Sequence, residues 1–245
     1  MPTMLVNGEK IASGFVLFDV DGTLIDDEDR YKSLAALRFD AISARAGRKA
    51  AEIWAPLGGY DPAEKRIDMS GPVAKAARRE DVAIAAAAIC RTGKIWHEAR
   101  ALAEAAYADA DATQMKDYTP RLFHGTEASI RNLKVAGLTL GIATNGQSKI
   151  TNELLDLLKI RDLFAVVLGS EDAANPKPAP DLLLAACQKV KIQPSEAVYV
   201  GDQPVDAEAA VAAGFKGCVI VGRAAVPPSP FVRRVASVAD LRAHP

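Results

Sequence analysis

The stretch from Phe18 to Asp26, FDVDGTLID, sends two carboxylates, Asp19 and Asp21, off the end of an apolar run, with Gly22 and Thr23 directly behind them. If strand geometry persists, alternation points both acids in related directions. Two carboxylates held about 4 Å apart repel by on the order of 4 kcal/mol at an effective dielectric of about 20. The pair therefore needs a cation or a shared proton. A second pair, Asp202 and Asp206, follows another apolar run in GDQPVD. Four acids at one sheet edge ask for a hard cation with oxygen ligands, and Mg²⁺ is commonly held by one or two carboxylates, waters and a substrate phosphate. Thr144 and Asn145 add a hydroxyl and an amide suited to phosphoryl oxygens. Lys177, between prolines in NPKPAP, puts one cation on a stiffened loop. Each feature also has a plain structural use. Asp-Gly makes turns, Thr-Asn caps helices, and a loop lysine sits in solvent.

The elements that must position these residues are legible as short apolar runs. Residues 14–19, 138–143, 165–169, 197–200 and 218–221 each stop at Gly, Asp, Asn or Ser, as strands buried on both faces do. Helical patterns fall between them at 125–136, 149–159, 181–190 and 205–213. This alternation predicts an α/β fold with a parallel, Rossmann-like sheet and chemistry at the carboxyl ends of its strands. Residues 30–111 differ. They are Ala-rich and helical in pattern, without a convincing strand, and GGYDPAEKRIDMSGP separates a leading helix from two or three more. An all-helical insertion after the first strand is expected.

Composition narrows the classes further. Thirty Lys and Arg against 31 Asp and Glu leave no basic surplus for a polyanion, so no nucleic-acid partner is expected. No stretch of about 18 apolar residues and no secretory leader pattern is present. The protein is expected in the cytoplasm, off the membrane. Cys90, Cys187 and Cys218 are too scattered for a disulfide framework or a metal knuckle and are expected as reduced, packed thiols.

The four signals occur in one order, Asp19-Val20-Asp21-Gly22-Thr23, Thr144, Lys177, then Gly201-Asp202 to Asp206. In that order, over about residues 14–223, the chain resembles the haloacid dehalogenase superfamily, in its phosphatase branch. The surrounding stretches RNLKVAGLTLGIATNG, KPAPDLLLAA and YVGDQPVDAEAAVAAG resemble the phosphoglycolate-phosphatase-like group. The resemblance implies a catalytic core at 1–28 and 113–245 and a helical cap at 29–112 that closes over the catalytic edge. It implies Mg²⁺-dependent hydrolysis of a small phosphorylated metabolite, 2-phosphoglycolate first among candidates. Asp19 would be the nucleophile that forms an aspartyl-phosphate, and Asp21 the general acid and base. Thr144, Asn145 and Lys177 would bind phosphoryl oxygens and offset charge. Asp19, Asp202 and the main-chain carbonyl of Asp21 would hold the metal, with Asp206 behind them, reaching the ion through water or fixing Lys177.

Departures from the pattern narrow the chemistry. Asp21 is present where the superfamily's dehalogenases lack that acid and its phosphonate-cleaving members carry a small residue. Tyr31 stands where the sugar phosphomutases carry a His, twelve residues after the nucleophile. A phosphomutase, or a binding or regulatory protein on the same fold, remains the alternative. His124 replaces the group's usual Pro at a helix start, and His97 reads as a packed or surface residue. Among Arg45, Arg48, Lys65, Arg66, Arg78, Arg79 and Lys94 of the insertion, one or two are expected to meet an anionic leaving group.

Overall fold

The computed structural model describes residues 2–117, 119–222 and 225–244. Met1, Tyr118, Arg223, Ala224 and Pro245, which fall in the ranges above, lie outside the described residues. The chain opens with a hairpin in which β1 (Thr3–Val6) and β2 (Glu9–Ala12) pair antiparallel. Asn7 and Gly8 turn it with φ of 50° and 83°, the primed geometry that matches strand twist. Then comes β3 (Phe15–Phe18), four apolar residues buried on both faces.

A run of helices follows: α1 (Glu28–Ala46), α2 (Arg48–Gly58), α3 (Pro72–Lys75), α4 (Arg78–Cys90) and α5 (Trp96–Asp117). Strands and helices then alternate through α6 (Thr126–Val135), β4 (Thr139–Ala143), α7 (Ser148–Leu157), β5 (Val166–Leu168) and α8 (Asp181–Val190). The chain continues through β6 (Ala197–Gly201), α9 (Pro204–Ala212), β7 (Gly217–Val221), β8 (Val232–Val235) and β9 (Arg242–His244). Helix α9 shows how locally these boundaries are set. Pro204 occupies its first turn, and Asp206 Oδ2 accepts the N–H of Gln203 at 2.9 Å, closing the helix start.

The main sheet runs β8-β7-β6-β3-β4-β5, with every neighbouring pair parallel. From β3 the chain moves outward to β4 and β5, then crosses back to β6 on the other flank of β3. The direction of winding thus reverses at β3 and β6, the place where parallel sheets open a crevice at their carboxyl ends. A second sheet, in the order β9-β1-β2, joins the two chain ends.

The chain divides into two compact units, 1–26 with 120–245 and 27–119. The second has its own core, in which Phe39, Ile42, Trp54, Ile89 and Tyr107 pack with alanines such as Ala85, Ala86, Ala103 and Ala106. That core also encloses charge. Arg38 pairs with Asp81, both almost fully buried, and the Arg38 guanidinium lies 4.2 Å from the centre of the Tyr107 ring. The Tyr107 hydroxyl donates to Asp81 Oδ1 at 2.9 Å and accepts from Trp54 Nε1 at 3.1 Å. Arg78 and Asp111 pair alongside at 2.6 Å.

Two details differ from the helical reading of the insertion. Gly47 divides the leading helix into α1 and α2, and residues 60–61 pair with 66–67 in a two-residue antiparallel ladder. Asp61 makes that fold-back locally, its Oδ1 accepting the N–H groups of Ala63 and Glu64 at 3.0 and 3.1 Å. Cys187 and Cys218 are buried, Cys90 is half-buried, and all three are free thiols.

Candidate active site

Strands β3, β4 and β6 lie side by side in the middle of the main sheet, so the residues just past their carboxyl ends are brought together. Asp19 follows β3, and its N–H still pairs with Val200 of β6 at 2.8 Å. The chain then turns sharply, with the N–H groups of Leu24 and Ile25 both reaching the Val20 carbonyl, at 2.8 and 3.0 Å. Gly22 makes this turn at φ 75°, and a Cβ there would lie 2.6 Å from Asp202 Oδ2. Only glycine serves both needs. Thr23, fully buried, donates its hydroxyl to Asp202 Oδ1 at 3.3 Å, which ties the first acidic motif to the last. Asp21 is half-buried on the same turn, its backbone bridged to Ile25.

Lys177 sits at the centre. Its Nζ lies 2.7 Å from Asp206 Oδ1, 2.7 Å from the Tyr199 hydroxyl and 3.0 Å from Asp19 Oδ1, all of them buried. Burial works against the ammonium, but Asp19 and Asp206 more than offset it and hold its pKa well above that of an ordinary lysine. Burial also pushes the Asp206 carboxyl up, with Lys177 working against that shift. Gly201 lets Asp206 come this close, since a Cβ at residue 201 would lie 2.2 Å from Asp206 Oδ2.

Asn145 fixes the loop that carries the lysine. Its Oδ1 accepts the Lys177 N–H at 2.8 Å and its Nδ2 donates to the Lys177 carbonyl at 3.1 Å. The side chain expected to hold phosphoryl oxygens thus has both ends of its amide on the main chain of Lys177. Thr144 is buried, and its Oγ1 accepts the N–H of Gly146 at 3.2 Å.

Asp19, Asp202 and Asp206 each offer a carboxylate oxygen, and these atoms lie within 4.8 Å of one another. Asp19 Oδ1 is buried and makes no hydrogen bond among the described residues, although it lies in an ion pair with the ammonium. Three hard oxygen donors this close together suit a divalent cation. Together these groups can hold a transferring anionic group between an ammonium and a metal.

The sequence-predicted residues Asp19, Lys177, Asp202 and Asp206 converge here, with Thr144 and Asn145 on the adjoining strand end. Tyr199 was missed. Its signal was a single hydroxyl within the apolar strand AVYV, two residues before Gly201. Some predicted cations of the insertion have partners within their own unit: Arg45 with Asp109 at 2.6 Å, Arg48 with Glu52 at 3.0 Å, and Arg78 with Asp111. Tyr31 is buried in that unit's core, while His97 and His124 are exposed.

A family model described as haloacid dehalogenase-like hydrolase matches residues 15–214. Phosphoglycolate phosphatase from Escherichia coli (strain K12) is 39% identical over 101 residues, which is 41% of this chain. The match spans only 39% of that relative's length. Among solved structures, a predicted phosphoglycolate phosphatase from Haemophilus somnus 129pt superposes with a TM-score of 0.68 at 19% identity, covering 94% of this chain and 96% of that one. A haloacid dehalogenase superfamily hydrolase, subfamily IA, from Geobacter sulfurreducens PCA gives 0.63 at 24% identity, covering 94% and 97%. At these identities the structural likenesses speak to the fold alone.

Proposed function

This chain belongs to the haloacid dehalogenase-like hydrolases, and on that footing we propose that it hydrolyses a small phosphomonoester through an aspartyl-phosphate. The observation that carries the reading is the buried ammonium of Lys177, 3.0 Å from Asp19 and 2.7 Å from Asp206, with Asp202 beside them. Such a site accepts a phosphoryl group because its cation already lies beside the nucleophile.

In the first half-reaction Asp19 attacks phosphorus and the P–O bond to the leaving group breaks. Asp21 gives its proton to the departing alkoxide. In the second, Asp21 takes a proton from water, the resulting hydroxide attacks the aspartyl-phosphate, and the Asp19 carboxylate and inorganic phosphate are released. Lys177 offsets the charge that builds on Asp19 and the phosphoryl oxygens, and Thr144 donates its hydroxyl to them. A divalent cation, Mg²⁺ as the expected ion, would be held by Asp19, Asp202 and the Asp21 carbonyl and would supply further charge stabilisation. Asp206 acts by fixing Lys177.

The sequence likeness to a phosphoglycolate phosphatase makes 2-phosphoglycolate the first substrate to try. The division of labour expected from sequence, chemistry on 1–28 and 113–245 and substrate choice on 29–112, is part of the proposal. The test is a panel of small phosphorylated metabolites assayed for phosphate release with Mg²⁺, wild type beside Asp19→Asn. Turnover of a subset by wild type alone is expected. Failure on every member and on p-nitrophenyl phosphate would overturn the proposal.

A further inference from the structure

The geometry points to Tyr199 as the residue that holds the Lys177 ammonium in place beside Asp19, through a hydroxyl whose proton is held elsewhere. A lysine side chain turns about four bonds and its ammonium donates three hydrogens, so an ion pair alone does not fix its direction. Here two directions are occupied by rigid acceptors. Asp206 is held by the Gln203 N–H at 2.9 Å, and Tyr199 stands in the central strand β6 and is fully buried. Held by these two, the ammonium lies 3.0 Å from Asp19 Oδ1 as an ion pair without a hydrogen bond.

The hydroxyl can only accept from the lysine, because an ammonium has no lone pair. Its own proton goes to the Ala143 carbonyl at 2.6 Å. Ala143 is the last residue of β4, directly before Thr144 and Asn145, and the Asn145 side chain grips the main chain of Lys177. One hydroxyl therefore joins the end of β4 to the head of the lysine, while Asn145 joins the same strand end to its backbone. Tyr199 touches no reacting atom. It is a positioning residue for the phosphoryl transfer proposed above, and the inference rests on that reading.

A buried tyrosine bonded only for stability would show the same contacts, so the test must separate donor from acceptor. Tyr199→Phe removes both roles. Placing 4-aminophenylalanine at position 199 keeps an N–H donor for Ala143, while its nitrogen lone pair, delocalised into the ring, is a poor acceptor for the ammonium. Val198→Ala is the control for loss of stability in the same strand. With p-nitrophenyl phosphate and Mg²⁺, Tyr199→Phe should lower kcat about 10- to 100-fold, the scale of a misplaced catalytic group, with KM within about threefold. The amino variant should melt close to wild type yet keep most of the kcat loss, and Val198→Ala should melt lower with kcat near wild type. Wild-type kcat in the amino variant, or kcat losses that simply track Tm across all three, would overturn the assignment. A Tyr199→Phe protein too unstable to assay leaves the amino variant to decide by the same criterion. Absence of turnover in wild type would instead overturn the phosphatase reading, a separate outcome.

Discussion

Two buried ionic centres, one in each unit, are built from the same parts and serve opposite ends. In the insertion, Arg38 and Arg78 face Asp81 and Asp111, with Tyr107 and Trp54 hydrogen-bonded into the cluster and Arg38 Nε without a hydrogen-bond partner among the described residues. Charges cancel there. In the core, Lys177 faces Asp19 and Asp206 with Asp202 beside them and Tyr199 as the hydroxyl partner. Among the described residues three acids stand close to one ammonium, a negative excess. A charge-balanced centre holds helices together, whereas an unbalanced one is completed only by something from outside. The count of charges, more than their burial, tells a site from a strut.

The same substitution in each centre gives the sharpest break. Asp19→Asn should lower turnover by about 10⁴-fold or more, the scale of losing a nucleophile, while the melting temperature holds or rises because one crowded carboxylate is gone. Asp81→Asn should do the reverse to stability, costing about 3 kcal/mol by leaving Arg38 buried without its partner. Urea unfolding of both variants checks this. Equal destabilisation by the two changes would erase the distinction.

Metal sharpens the contrast further. Chelation should abolish activity and Mg²⁺ restore it. At about 100 times Kd, Mg²⁺ should also stabilise the folded protein by about 2.7 kcal/mol, because only the native state binds it well. Asp202→Asn should lose that response in a thermal shift, and Asp81→Asn should keep it. A Tm indifferent to Mg²⁺ in wild type would count against the cation site.

The mildest effect is alkaline, and both units share it. Burial pushes Cys187 up to about 11 and raises Cys218, Tyr107 and Tyr199 well above their ordinary values. These groups stay protonated in the fold at pH values where the unfolded chain has begun to ionise. Their stabilisation is full below their unfolded pKa and is lost as pH rises towards the folded one. Melting temperature should therefore fall between about pH 9 and 11. A flat profile across that window would show that these groups titrate normally.

The reading of the sequence succeeded where local chemistry interrupts a local pattern. Asp19, Thr144, Asp202 and five of the six strands of the main sheet stood out because apolar runs end abruptly in polar residues. It failed where meaning depends on a distant partner. Tyr199 reads as one more strand residue until Lys177 and Ala143 meet its hydroxyl. Arg38 and Asp81 lie 43 residues apart on different helices, and no spacing rule pairs them. Strand β9 depends on β1 at the other end of the chain, and VRRV of β8 is too polar to read as a strand. The hairpin around Asn7-Gly8 is the exception, a strong local turn signal between two short strands.

The way the chain leaves and rejoins the core has a consequence for modularity. Ile25 bridges to Leu122, the Asp26 N–H reaches the Arg121 carbonyl at 2.9 Å, and the Phe123 N–H reaches the Leu24 carbonyl at 3.0 Å. Both feet of the insertion thus stand on one spot, bound to each other by backbone. The closure entropy of a segment grows only logarithmically with its length, so to the sheet this insertion is a single long loop. Its contents can be lengthened, exchanged or redesigned without altering the register of any strand, which makes residues 24–26 and 121–123 a socket for domain grafting.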